Sequence, residues 1–104
     1  MTQSSLSPIE LSILLCLSTT DRHGYEIMKE MERSSGGLQK VGPGTLYVAI
    51  KRLLQAQLIS EITTERTSRR RYYHLTDEGR RAVASGLSGY TQMLSWARRE
   101  GWAV

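Results

Sequence analysis

Two groups of side chains in the middle of the chain have the chemistry needed to hold a polyanion. The first places four arginines within six residues and two tyrosines directly after them: Arg66, Arg69, Arg70, Arg71, Tyr72 and Tyr73. Guanidinium groups bind phosphate oxygens, and an arginine can also enter a narrow minor groove. Ser68 lies within the same segment. The alternative is an exposed edge hairpin that its arginines keep soluble.

The second group repeats at helical spacing between residues 44 and 55. Apolar side chains fall on one side of this predicted helix, and mainly polar ones fall on the other. Lysine and arginine can neutralise phosphates or bond guanine, glutamine can pair with adenine, and valine can touch a thymine methyl group. The predicted contacts are Thr45, Tyr47, Val48, Lys51, Arg52 and Gln55. An ordinary solvated helix face is the alternative.

The charge is unevenly distributed. The 104 residues carry a net charge of +4, while residues 40–81 contain nine basic and four acidic side chains, a net charge of +5. A basic segment of this kind indicates one polyanion-binding face. A membrane surface or RNA would satisfy the charge as well as DNA does, so charge alone does not identify the partner.

The composition is that of a single globular domain, with 39% hydrophobic and 23% charged residues. The longest apolar run, residues 13–17, is far shorter than the ~20 residues of a membrane span. The N-terminus has no secretory-signal pattern, and the single cysteine, Cys16, cannot form an internal disulfide framework. We therefore expect a cytoplasmic protein with no membrane partner.

Local signals predict the element order α-α-α-β-β-α. Ser7, Pro8 and Glu10 form a helix-start pattern, and Thr76 is placed to cap the last helix. The expected helices begin near residues 8, 23, 43 and 77 and end near residues 17, 34, 57 and 99, and the expected strands cover 58–65 and 70–75.

This order indicates a mostly α fold with a small β-hairpin, the winged helix-turn-helix. In that fold one helix enters the major groove of duplex DNA, and the hairpin, or wing, reaches the neighbouring backbone or minor groove. We assign residues 1–76 to the DNA-binding domain and 77–104 to a C-terminal dimerisation helix, within one structural domain overall.

The last predicted helix has two apolar stripes. The first has the spacing of helices that pack on one another and comprises Val83, Leu87, Tyr90, Leu94 and Ala97. The second comprises Ala82, Gly86, Gly89, Met93 and Trp96. Two stripes need two surfaces, so we predict a homodimer. Tyr90, Met93 and Trp96 would line a pocket for a planar hydrophobic effector, unless they simply fill the interface.

The sequence contains no recognisable catalytic or metal-binding motif. His23 and His74 have no metal-ligand spacing with Cys16, which lies in an apolar run and is expected to be a buried structural thiol. His23 is expected at a helix start. We expect neither an enzyme nor a cofactor or metal site.

Three motifs, in this order, resemble the PadR family of transcriptional regulators. They are Gly24-Tyr25-Glu26-Ile27; Gly44-Thr45-Leu46-Tyr47 leading to Arg52-Leu53 and Leu58-Ile59; and Arg70 through Gly79. The similarity covers about residues 11–82, and the short last helix resembles the compact subfamily. The resemblance implies a homodimeric repressor of a palindromic operator, often released by a small ligand. It places Thr45, Tyr47 and Lys51 at the DNA, with the wing residues Ser68 to Arg70.

The chain departs from the family pattern at two positions. Val48 replaces the usual proline, and Gln57 replaces the usual glycine before Leu58-Ile59. A left-handed helix cap at Gln57 would cost up to about 1 kcal/mol. Two alternatives remain: a winged-helix regulator without a ligand, and a winged-helix protein-interaction adaptor. Basic residues on both the third helix and the wing argue against the adaptor.

Overall fold

The computed structural model describes residues 6–62 and 71–104, which contain four helices and three short strands. In chain order these are α1 (Pro8–Cys16), β1 (Arg22–His23), α2 (Gly24–Ser34), α3 (Pro43–Gln55), β2 (Ile59–Ile62), β3 (Tyr72–Leu75) and α4 (Asp77–Arg99). The predicted winged-helix order is confirmed, and β1 is an additional strand.

Helix α1 begins with the predicted reciprocal cap. The Glu10 backbone N–H donates to the Ser7 hydroxyl at 3.1 Å, and the Ser7 backbone N–H donates to the Glu10 carboxylate at 2.9 Å. Pro8 occupies the first helical turn, where its missing N–H costs no hydrogen bond. The cap fixes where α1 starts and therefore which of its side chains face the core.

The hydrophobic core lies between the first three helices and the sheet. Its members are almost fully removed from water, which is the main stabilising contribution to a domain of this size. They are Ile13, Leu14, Cys16, Leu17, Ile27, Met31, Leu46, Ala49, Ile50, Leu53, Ile59, Tyr73 and Leu75. Of the two adjacent tyrosines in β3, Tyr73 is the core residue.

The sheet is antiparallel, with β3 between β1 and β2. Arg22 of β1 pairs with Tyr73, and its Nε also donates to the Cys16 carbonyl oxygen at 2.7 Å. Strand β1 was not predicted, because two residues are too few to show alternation. It forms through pairing with β3, and it joins the end of α1 to the sheet.

Helix α3 ends at Gln55, two residues earlier than predicted, because Gln57 adopts a left-handed conformation with φ of 63°. The Leu58 N–H donates to the Leu53 carbonyl and the Gln57 N–H to the Leu54 carbonyl, both at 3.0 Å. These two bonds form a Schellman motif. The motif sends the chain directly from α3 into β2.

Helix α4 starts against the end of α3 and then extends away from the core. The Thr76 hydroxyl accepts from the Gly79 N–H at 2.9 Å and donates to the Gln57 carbonyl at 2.8 Å. The first turns of α4 pack against the core through Ala82 and Val83, and Gly86 lies beside the buried Leu11 of α1. The radius of gyration, 15.0 Å, exceeds the about 13 Å of a compact domain of this length. The distal part of α4 accounts for the elongated shape.

Candidate nucleic-acid interface

The outer face of α3 is open to solvent along its whole length. Thr45, Val48, Lys51 and Gln55 are all exposed, as are the predicted contacts Tyr47 and Arg52. The opposite face is anchored in the core by buried Leu46, Ala49, Ile50 and Leu53. The sequence periodicity therefore identified the exposed face correctly. Contact between that face and DNA stays a prediction.

Tyr47 is the residue of this face with the most specific surroundings. Its side chain is 49% exposed, and its hydroxyl end lies against Gly24, the first residue of α2. A Cβ atom at Gly24 would overlap the Tyr47 hydroxyl oxygen and lie 2.8 Å from Cζ. The ring therefore spans the gap between the two helices of the helix-turn-helix. Gly24 was not among the predicted site residues.

Arg52 is exposed but has an intramolecular partner. Its Nη1 lies 3.4 Å from Oε2 of Glu10, whose side chain is only 8% exposed. The other oxygen of that carboxylate accepts from the Ser7 backbone N–H. Arg52 thus joins α3 to the first turn of α1 while its side chain remains accessible. This pairing gives it a structural role beside the predicted DNA contact.

The base of the wing is well defined, and its tip lies outside the described residues. Strands β2 and β3 pair with Ile59 opposite Leu75 and Ile62 opposite Tyr72. Arg71 is exposed, and its Nε lies 3.7 Å from the Glu61 carboxylate. The predicted tip contacts, Arg66, Ser68, Arg69 and Arg70, all fall in the segment that is not described, so the structure does not test them.

Two side chains connect the wing to the helices. His74 Nδ1 lies 2.7 Å from Asp21 Oδ1 in the loop after α1, across an exposed part of the surface. Tyr73 lies in the core, and burial raises the pKa of its hydroxyl; the nearby Glu61 carboxylate and Tyr47 hydroxyl add to that rise.

The predicted dimer face on α4 has no covering element in the described part of the chain. Leu87, Tyr90 and Leu94 are exposed by 41%, 38% and 44%, while Val83 and Ala97 are half-buried. An isolated exposed leucine is unremarkable, but a continuous apolar row marks an interaction surface. Dimerisation through this face stays a prediction.

The predicted effector residues do not all share one cavity within the single chain. Met93 and Trp96 border a shallow, open groove together with Gly89, Gln92, Ser95 and Arg99, and Tyr90 is not among its lining residues. A groove on one helix cannot enclose a flat ligand, since most of the ligand surface would remain in water. A binding pocket here therefore requires a second helix opposite α4.

The residues set aside as non-catalytic have structural roles. Cys16 is buried, its Sγ lies 3.8 Å from the Ile27 carbonyl oxygen, and burial raises the pKa of the thiol to about 11. The thiol is therefore protonated at neutral pH and a poor nucleophile. His23 caps α2, since its Nδ1 accepts from the Glu26 N–H at 3.3 Å. Both sequence interpretations are confirmed.

Metal-binding and membrane-spanning features are absent from the described residues. Within 6–62 and 71–104, no three His, Cys, Asp or Glu side chains are grouped closely enough to hold a metal ion. In the same two segments, no helix combines the length and hydrophobicity needed to cross a bilayer.

Solved structures with this fold include DNA-binding regulators. A transcriptional regulator from Clostridium thermocellum superimposes with a TM-score of 0.81 at 28% sequence identity, over 90% of this chain and 90% of that chain. Bacillus subtilis PadR, solved in complex with operator DNA, superimposes with a TM-score of 0.69 at 23% identity, over 78% of this chain and 47% of that one. At that identity, the second likeness shows the fold alone.

A sequence relative extends well beyond this chain. An uncharacterized 37.1 kDa protein in transposon TN4556 of Streptomyces fradiae is 37% identical over 71 residues, which is 68% of this chain but 19% of that protein. Residues 13–85 match the family described as "Transcriptional regulator PadR-like family". That match covers most of the winged-helix unit and the first turns of α4. The chain therefore belongs to the PadR-like family of transcriptional regulators.

Proposed function

We propose that this chain is a cytoplasmic, homodimeric repressor that binds a palindromic operator and is released by a small planar hydrophobic effector. The observation that carries the proposal is the exposed outer face of α3, held rigidly by the buried opposite face of the same helix. A helix presented in this way fits the major groove of B-DNA. Membership of the PadR-like family supports the same function.

The proposed contacts divide by the chemistry of each side chain. Lys51 neutralises a phosphate or bonds guanine, Gln55 bonds an adenine edge, and Val48 contacts a thymine methyl group. Thr45 and Tyr47 contact DNA from the first half of α3. Arg52 contributes through its exposed edge while it holds Glu10. The wing contributes Arg66, Ser68, Arg69 and Arg70, which add phosphate contacts beside the groove.

Dimerisation would use the apolar row of α4: Val83, Leu87, Tyr90, Leu94 and Ala97. Two copies related by a two-fold axis present two recognition helices, which read half-sites about 34–36 Å apart, one turn of DNA. A planar effector would bind between the paired α4 helices, against Tyr90, Met93 and Trp96. By changing the separation of the two recognition helices, the effector would weaken operator binding.

Fluorescence anisotropy with the labelled promoter of the protein's own gene tests the DNA-binding part. We expect sequence-selective binding that weakens as salt increases. Lys51→Ala should weaken binding to every sequence and reduce the salt slope by about one. Arg99→Ala, which removes one positive charge at the far end of α4, is the matched control and should bind as the wild type does.

The outcomes separate the remaining functions. A protein-interaction adaptor would show no salt-sensitive, sequence-selective binding. Equal affinity of Lys51→Ala and the wild type would remove α3 as the reading helix. Promoter binding that increases expression of a reporter gene would contradict repression.

Sedimentation and tryptophan fluorescence test the dimer and the effector. Leu87→Glu places a charge in the apolar row and should give monomers, while Lys51→Ala should remain dimeric. A varied panel of planar hydrophobic compounds should include some that quench Trp96 fluorescence and release the DNA. A flat titration across the panel would instead favour a regulator without a ligand.

A further inference from the structure

We infer that Gly24 is a positioning residue for DNA recognition: its lack of a side chain creates the space in which the Tyr47 ring is held between α2 and α3. The inference rests on the proposed function, because it concerns how Tyr47 is presented to the operator. It adds a residue of the other helix of the helix-turn-helix to those that determine binding.

The space beside the Gly24 α-carbon accommodates a hydrogen atom and no side-chain carbon. Gly24 is buried at the start of α2. A Cβ atom there would meet three atoms of the same ring, overlapping Oη and lying 2.8 Å from Cζ and 3.2 Å from Cε1. The three nearest atoms to the added carbon all belong to Tyr47. The first consequence of adding a methyl group is therefore displacement of this ring.

The backbone does not itself require glycine at this position. Positive φ angles among the described glycines occur at Gly36, Gly37 and Gly101, and Gly24 is not one of them. Alanine also favours helix more than glycine does. Gly24→Ala suits the helical backbone and displaces one partly exposed side chain, that of Tyr47. Its effect on operator affinity can therefore be told apart from an effect on stability.

Holding Tyr47 in place has a direct benefit for binding. A tyrosine on an open helix face samples several rotamers, and association must select one of them. Here the hydroxyl end rests on Gly24, while about half of the residue stays exposed. Because the ring is already ordered, DNA does not have to order it.

Gly24→Ala should weaken operator binding without lowering thermal stability. We expect the dissociation constant to rise about 2- to 10-fold, the cost of ordering one long side chain on binding. The melting temperature should stay the same or rise. Ser34→Ala, which introduces the same favoured residue at the other end of α2, is the matched control and should leave affinity unchanged.

A double-mutant cycle shows whether Gly24 acts through Tyr47. In a Tyr47→Ala background, Gly24→Ala should have no further effect on affinity. In a Tyr47→Phe background its effect should shrink, because the overlapping hydroxyl is gone. Sedimentation should show the same dimer for every variant.

Four results overturn the inference. Gly24→Ala with wild-type affinity would show that the space is not needed. An equal loss in the Tyr47→Ala background, or a lowered melting temperature that accounts for the weaker binding, would show a structural role only. Absence of selective binding by the wild type would remove the proposed function and this inference with it, whereas the first three results leave the function standing.

Discussion

The unit formed by α1, α2 and α3 differs from the distal half of α4 in how far its apolar side chains are buried. In α1, α2 and α3 these residues converge on one buried core, and the exposed face of α3 is mainly polar. In α4 the last residue that is fully buried is Gly79, and the apolar row beyond it faces solvent.

The contrast shows where the two parts obtain their stability. The unit formed by α1, α2 and α3 is stabilised by contacts within one chain, so the exposed face of α3 is defined in a single copy. The distal half of α4 leaves exposed the kind of surface that proteins normally bury. The proposed dimer would cover that surface and add to the stability of this half of α4.

The largest effect on the free energy of unfolding is expected from truncating a core leucine, and a leucine of distal α4 is its comparison. Leu53→Ala creates a cavity in the core and should lower the free energy of unfolding by about 2–5 kcal/mol. Leu94→Ala should cost less, and its cost should shrink as the protein is diluted, because its contacts would lie between copies. Urea unfolding followed by circular dichroism, at several concentrations, measures both. A large, concentration-independent loss for Leu94→Ala would abolish the contrast.

An intermediate effect is expected at a pair of α4 glycines. A Cβ at Gly79 would overlap the Leu58 carbonyl oxygen, whereas none of the described atoms lies within 4 Å of a Cβ at Gly89. Gly79→Ala should lower the unfolding free energy by about 1–3 kcal/mol through overpacking. Gly89→Ala, its control, should cause no loss when protein is concentrated. A loss at Gly89 that shrinks on dilution would place a partner helix there.

The smallest effect is expected at the end of α3. Gln57 has a positive φ, which a glycine adopts without strain, so Gln57→Gly should raise the unfolding free energy by up to about 1 kcal/mol. Gln55→Gly, at the last residue of α3, should lower it by up to about the same amount. Thermal melts compare the two variants. A destabilised Gln57→Gly would mean that the side chain of Gln57 contributes more than its backbone costs.

Local signals predicted most of the helix ends. Ser7 and Glu10 form the expected reciprocal cap, Thr76 caps α4, and α4 ends at Arg99 as predicted. These features depend on residues three or four positions apart, so the sequence displays them directly. The non-enzymatic prediction is also confirmed, because PadR-like proteins are transcriptional regulators.

Features that depend on distant residues were missed. Strand β1 exists through pairing between residues about fifty positions apart, and the Gly24–Tyr47 contact joins two helices. The ion pair of Arg52 with Glu10 has the same origin, since periodicity shows which face a residue occupies but not its partner. The glycine opening α2 within the Gly24-Tyr25 motif was the one available signal for its role.

The hydroxyl of Thr76 makes the connection between α3 and α4 a short one. It bonds the backbone on both sides of the junction, and Gly79 packs directly on Leu58 beside it. With 23 residues, α4 is about 34 Å long, so a tilt of about 5° at this joint displaces the far end by about 3 Å. If the far ends were clamped together instead, the same tilt would be transferred to the end of α3 that Thr76 holds.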